Sequence, residues 1–244
     1  MSDLGPWNPL QPREVSALLA GVNAWWWLSG GWSLDLLIGS ETRIHADTDV
    51  TILRPELFTI REHLSGWDLH VADPRGTGSF RAWHKDSDLD ENLHDVWCRP
   101  SATEPWCLQL MINDVEGDQW VYRRHRRIRR PLETLTGRAS SEAMPALAPE
   151  IQLLYKSKDL RDKDQADFLR VLPCLEHEER AWLLDSLILT DPHHPWIGDL
   201  RRVECDRRES SNDSQPVASA RSTDKSDPRP LPPPPSLGTS RKND

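Results

Sequence analysis

Two aspartates one residue apart, Asp47 and Asp49, head the apolar run DTDVTIL at residues 47–53. On a strand, residues i and i+2 face the same way, about 6–7 Å apart. Two carboxylates aimed together repel each other and resist burial, so the pattern requires a counter-charge. A divalent cation such as Mg²⁺, which takes one or two carboxylates plus phosphate oxygens, is the simplest one. Upstream, AWWWL reads as a short apolar strand, SGG at 29–31 as a tight turn, and WSLDLLI as a helix stopped at Gly39. A turn from strand to helix offers backbone N–H groups and the positive end of the helix dipole to a phosphate. Alone, the glycines could be an ordinary turn and Asp47 a turn residue. Together, strand, glycine turn, helix and aspartate pair describe a phosphate cradle set ahead of a metal pair.

The rest of the chain is consistent with a sheet around that unit. QPREVSALLAGVN has helical spacing, Pro55 opens the helix PELFTIREHL, and WDLHVA is a third strand. LHDVWCRP and WCLQLMIN, separated by SATEP, form an expected antiparallel pair, and DQWVYRR extends it. From residue 149 the apolar period becomes helical, with Pro173 as an interruption. After about residue 200 the chain is Ser, Asp, Arg and Pro with little to bury, so residues 205–244 are expected to be disordered, with a polyproline stretch at RPLPPPPS. The expected fold is α/β (α+β): a mixed-sheet domain over 1–136, a small helical region over 137–204, and the tail.

Composition narrows the partners. The formal charge of −9 argues against an extended nucleic-acid footprint and is compatible with a cationic substrate, which the acidic stretch HKDSDLDENLHD could also attract. The arginine-rich run YRRHRRIRR at 122–130 is the counter-signal for nucleic acid, and arginines pairing with nearby acids explain it as well. Cys98, Cys107, Cys174 and Cys205 show neither C-x-x-C nor metal-ligand spacing and read as free thiols in a reducing cytoplasm. The N-terminus has no signal-peptide pattern, and no apolar stretch is long enough for a membrane span.

The segment SGGWSLDLLIGSETRIHADTDV resembles the aminoglycoside 2''-nucleotidyltransferase and lincosamide nucleotidyltransferase group of the DNA polymerase β superfamily. The matching positions are Gly30, Gly31, Trp32, Asp35, Thr42, Arg43, His45, Asp47 and Asp49, and PEIQLLYKSKDLRDKDQADF resembles the group's helical region. The resemblance implies a polymerase β-like fold and transfer of a nucleoside monophosphate from ATP or another nucleoside triphosphate to a hydroxyl of a small, amino-sugar-like acceptor. It also implies two Mg²⁺ ions, held by Asp47, Asp49 and a third carboxylate. Asp95 is the choice for that carboxylate, also accepting the hydroxyl proton, with Asp114 as rival. Ser29, Gly30 and Gly31 would hold the phosphates, and Lys156 and Lys158, with Lys163 behind them, would reach the triphosphate. Asp35 and Arg43 could pair to brace the loop, and His45 could orient a metal carboxylate. A relative that binds nucleotide or a partner without turnover is the alternative.

Overall fold

The computed structural model describes residues 5–72, 80–84, 91–141 and 143–202. The expected tail over 205–244, Cys205, and residues 85–90 of the acidic stretch lie outside them. Helix α1 (Pro12–Leu18) starts with Pro12 in its first turn, and Gln11 and Glu14 form a reciprocal capping box. Strand β1 (Trp26–Leu28) runs directly into α2 (Gly30–Ile38), so the glycine pair is the first turn of the helix rather than a separate turn. Gly39 ends α2 in the left-handed region at φ 85°. Strand β2 (Asp49–Leu53) follows; Asp47 lies just ahead of it, not in it. A 3₁₀ turn at Arg54–Glu56 then leads into α3 (Leu57–His63).

Strands β3 (Asp68–Ala72), β4 (Phe80–Ala82), β5 (Asp95–Arg99), β6 (Leu108–Glu116), β7 (Gln119–Val121) and β8 (Arg129–Pro131) complete the sheet, and β5 and β6 form the expected antiparallel pair. The order is β1-β2-β6-β5-β3-β4, with β7 and β8 continuing from the far end of β6. Among the pairs of named strands described, only β2–β6 is parallel; its register sets Asp49 beside Gln109 and Thr51 beside Met111. Strands β4 and β8, three residues each, were not anticipated, since neither is long enough to show a period.

Alternation divides the sheet's faces. Val50, Ile52, Leu110, Ile112, Val96 and Cys98 pack in one cluster with Val15, Leu19, Ile60 and Leu64 from the α1 and α3 segments. The opposite face therefore carries Asp49, Thr51, Gln109, Met111, Asn113, Asp95 and Trp97. Over β1, β2 and β6 this face is roofed by α2, α4 (Pro149–Lys156), α5 (Asp162–Val171) and α6 (His177–Thr190). The helical segment does not build a core of its own. Ile151, Leu154, Phe168, Leu183 and Trp196 share one cluster with Trp27, Leu34, Leu53 and Trp120 of the sheet. Residues 145–147 also extend the sheet edge, Leu28 N–H donating to Pro145 C=O and Leu147 N–H to Leu28 C=O.

Cys98, Cys107 and Cys174 are free thiols. Among the described residues, no helix is long and apolar enough to cross a membrane.

Candidate active site

Both glycines are fixed by close approach. Gly30 has φ +67°, and a Cβ there would lie 2.5 Å from Asp49 Oδ2; a Cβ on Gly31 would lie 2.3 Å from His45 Cε1 and 2.6 Å from Arg43 Nη2. The first turn of α2 is thus pressed onto the start of β2, and Ser29 N–H donates to the Asp49 carbonyl at 2.9 Å. The Gly30 N–H is not free for phosphate: it donates to Gln152 Oε1 of α4 at 2.8 Å. Ser29 is 2 % exposed, and its Oγ caps nothing and has no hydrogen-bond partner among the described residues.

The loop before the pair is braced from two sides. Asp35 accepts from Thr42 Oγ1 at 2.7 Å and meets His45 Nε2 at 2.7 Å, while the His45 ring lies on Trp32 at 4.1 Å. Arg43 donates Nε and Nη2 to the two oxygens of Asp167 in α5, each at 3.0 Å. The expected Asp35–Arg43 pair therefore does not form: Arg43 is drawn across to the helical segment, and His45 braces Asp35 rather than a metal carboxylate.

A cavity opens between this loop, the sheet face and α4–α5, and Ser29, Gly30, Gly31, Asp47 and Asp49 all line it. Lys156, Lys158, Arg161 and Lys163 contribute cations from the helical segment, Arg123 and Arg124 from the residues after β7, and Arg43 from the loop. Against these seven stand three lining carboxylates, Asp47, Asp49 and Asp164, with Asp167 behind Arg43 and Lys156, so the cavity has a surplus of positive charge. Asp164 is neutralised by Lys156 Nζ at 3.0 Å and Arg161 Nε at 2.6 Å; burial pushes its carboxyl up, but these two cations hold it below the usual carboxylate range. Asp49 differs. Burial, and then the charge of Asp47, push its carboxyl up to about 7.

Residues 12–71 match the family model described as aminoglycoside-2''-adenylyltransferase. This segment is similar to that family. It contains the whole run from Ser29 to Asp49 that carries the resemblance in sequence. No curated protein matches the chain. Among solved structures, the lincosamide antibiotic adenylyltransferase LnuA with lincomycin bound is 16 % identical, the alignment covering 69 % of this chain and 99 % of that one with a TM-score of 0.47. The antibiotic-resistance factor ANT(2'')-Ia is 14 % identical over 82 % of this chain and 92 % of its own, with a TM-score of 0.44.

The other expected residues are distributed unevenly. Lys156 borders the cavity, but the residue is 8 % exposed and its ammonium is spent on Asp164 and Asp167, each at 3.0 Å. Lys158 is at the rim, 3.4 Å from Asp159. Asp95 shares the sheet face of the pair but is not brought to it. Its register partner is Met111, whose other neighbour is Thr51, so Asp95 sits two strand spacings, roughly 10 Å, from β2 and outside the cavity lining. Asp114 is taken by Arg54 Nε at 2.7 Å. The choice of Asp95 rests on its strand's resemblance to the one that bears the base in the group; the pairing order, which sequence does not state, sets it apart from the pair.

Gln152, Arg123 and Arg124 were not singled out by sequence. Gln152 had a local signal, sharing a helical stripe with Tyr155 and Lys156. The run at 122–130 divides its arginines: Arg126 and Arg129 pair with Glu116 and Arg130 with Glu150, while Arg123 and Arg124 line the cavity.

The glycine contacts predict a contrast. Gly31→Ala should destabilise the protein by about 2–3 kcal/mol, because the His45 ring it would strike is pinned by Asp35 and Trp32. Gly39→Ala, with nothing within 4 Å but φ +85°, should cost about 1 kcal/mol. Urea unfolding of the two variants checks this; equal losses would mean that the His45 contact gives way freely.

Proposed function

We propose that the protein transfers a nucleoside monophosphate from a nucleoside triphosphate, ATP first among them, to a hydroxyl of a small antibiotic-like or amino-sugar acceptor. The observation that carries this reading is the abutment of a strongly cationic cavity on the Asp47–Asp49 pair. The positive charge of the lining matches a triphosphate in sign, and the aspartate pair borders the same cavity.

The donor set fits a hard divalent cation, Mg²⁺ first. Asp47 and Asp49 supply oxygen ligands, the desolvated Asp49 carboxyl is raised despite the charges of Lys156, Lys163 and Arg161, and Ser29, whose hydroxyl is orphaned, lines the same cavity. Bound there, the metal would offset charge on the attacking and leaving oxygens of an in-line displacement. The chain's own residues do the rest. Arg123, Arg124, Lys158 and Lys163 attract the phosphates, and the Gly30–Gln152 hydrogen bond holds the first turn of α2 against α4. Arg43 and Asp167 fix the loop that carries Asp47.

Pyrophosphate release from ATP and GTP with Mg²⁺, across a panel of aminoglycosides, lincosamides and other amino sugars, tests the reading. Release that depends on one acceptor and disappears in the Asp47→Asn, Asp49→Asn double variant is the expected result. Mg²⁺-dependent nucleotide binding without release from any acceptor would make the chain a binding relative, a reading the remoteness of Asp95 favours. Absence of nucleotide binding would sink both.

A further inference from the structure

The cationic cavity at the aspartate pair is small, about 170 Å³. Pockets that enclose small ligands commonly span about 300–1,000 Å³, so this one suits the phosphates of a nucleotide but not its nucleoside. A second cavity, about 600 Å³, adjoins it and shares two of its lining residues, Arg124 and Lys158. Beyond those cations the character of the walls changes. Tyr122 and His125 come from the residues after β7, Ser157 and Asp159 follow α4, and Thr190 and Asp191 close α6. Asp159 and Asp191 balance Arg124 and Lys158, so the surplus of positive charge stops at the junction. His194 adds a fixed, uncharged wall: Nε2 donates to the Ser157 carbonyl at 3.0 Å, Nδ1 accepts from the Trp196 N–H at 3.3 Å, and burial holds the ring below the usual histidine pKa. His125 lines the same cavity, and its buried Nδ1 has no hydrogen-bond partner among the described residues. Arg124 is held between the two cavities. Its guanidinium lies 6.0 Å from the Tyr122 ring and 5.7 Å from the Tyr155 ring, and Nη1 donates to the Tyr155 carbonyl at 3.3 Å.

A ligand that spans both cavities is anionic in the first and, past Arg124 and Lys158, an uncharged polar ring system in the second. We infer that the second cavity receives the nucleoside of the donor nucleotide, an assignment that rests on the nucleotidyl-transfer reading above. Arg124 and Lys158 mark the point at which phosphate gives way to sugar, and the end of α6, with Thr190 and Asp191, borders the base.

Calorimetric titration of the full chain with ATP, GTP and inorganic tripolyphosphate, each with Mg²⁺, tests this directly. Wild type should hold at least one of the nucleotides about tenfold or more tighter than tripolyphosphate, the nucleoside supplying the difference. Thr190→Trp fills the second cavity from an exposed position at the end of α6. It should abolish that advantage, weakening the nucleotide about tenfold and leaving tripolyphosphate unchanged. Thr190→Tyr serves the same purpose if the tryptophan variant does not fold, as judged by circular dichroism. A nucleotide held no better than tripolyphosphate by wild type, or one whose affinity the filled cavity leaves unchanged, would overturn the inference and leave the transfer reading standing. So would an equal loss of tripolyphosphate, which would make the effect one on the phosphates. If wild type binds neither nucleotide nor tripolyphosphate, the transfer reading and the inference fall together.

Discussion

Replacing Asp49 by asparagine is expected to lower nucleotidyl transfer by on the order of 10³-fold and, in the same protein, to raise the melting temperature of the metal-free form at pH 8. The first effect is the loss of the several kcal/mol of charge stabilisation that a bound cation supplies. The second follows from the Asp49 carboxyl, pushed up to about 7 by burial and by Asp47. A group raised in the folded state contributes stability that is fully present below its unfolded pKa and is lost as pH rises through the folded one. The metal-free wild type should therefore lose stability from about pH 4 to about pH 7 on account of this residue, and the asparagine variant should not. Divalent cations should reverse the order by binding only the wild type, with an affinity that falls as pH drops below about 7. Thermal melts at pH 5 and 8, with and without Mn²⁺, give all four conditions. If the variant melts lower than wild type in metal-free buffer at pH 8, the Asp49 charge is not a burden on the fold.

Lys156→Met is expected to cost about 3 kcal/mol, the largest stability loss at any single cavity residue. Its ammonium lies 3.0 Å from both Asp164 and Asp167, and all three side chains are nearly buried. Removing the cation leaves two carboxylates facing each other, although Arg161 and Arg43 each keep one. The figure sits for that reason at the low end for a broken buried pair. A shifted urea midpoint at constant slope is the expected readout. A loss below about 1 kcal/mol would show that the two arginines suffice and that Lys156 is available to phosphate after all.

What the sequence disclosed was local. Gly30, Gly31, Asp47 and Asp49 lie within about twenty residues, and steric demands make their types nearly obligatory: a side chain on either glycine would strike Asp49 or His45. The helix stop at Gly39 and the strand at 49–53 are equally short-range. What it withheld depends on contacts between distant segments. The Arg43–Asp167 pair and the Gly30–Gln152 hydrogen bond join residues 124 and 122 positions apart, and no periodicity announces either. The third carboxylate failed for the same reason. LHDVWCRP reads correctly as a strand, yet β6, not β5, lies against β2, and that order is set by packing of the whole sheet. Lys156 looked like a phosphate ligand because a lysine on an exposed helix usually is free, whereas here two aspartates one turn into the next helix capture it.

The shared core of the sheet and the helices also bears on how such a protein can change. The matched family segment, residues 12–71, supplies the aspartate pair and Arg43, while the other six cations of the cavity come from residues 123–163. On the proposed reading, substitutions in the later stretch would retune how tightly the phosphates are held without touching the aspartate pair. The two stretches are nonetheless not interchangeable parts. A helical segment borrowed from another lineage would have to bring its own partners for the Gly30 amide and the Arg43 guanidinium, so drift in specificity should proceed by single replacements on α4 and after β7 and not by exchange of the whole segment.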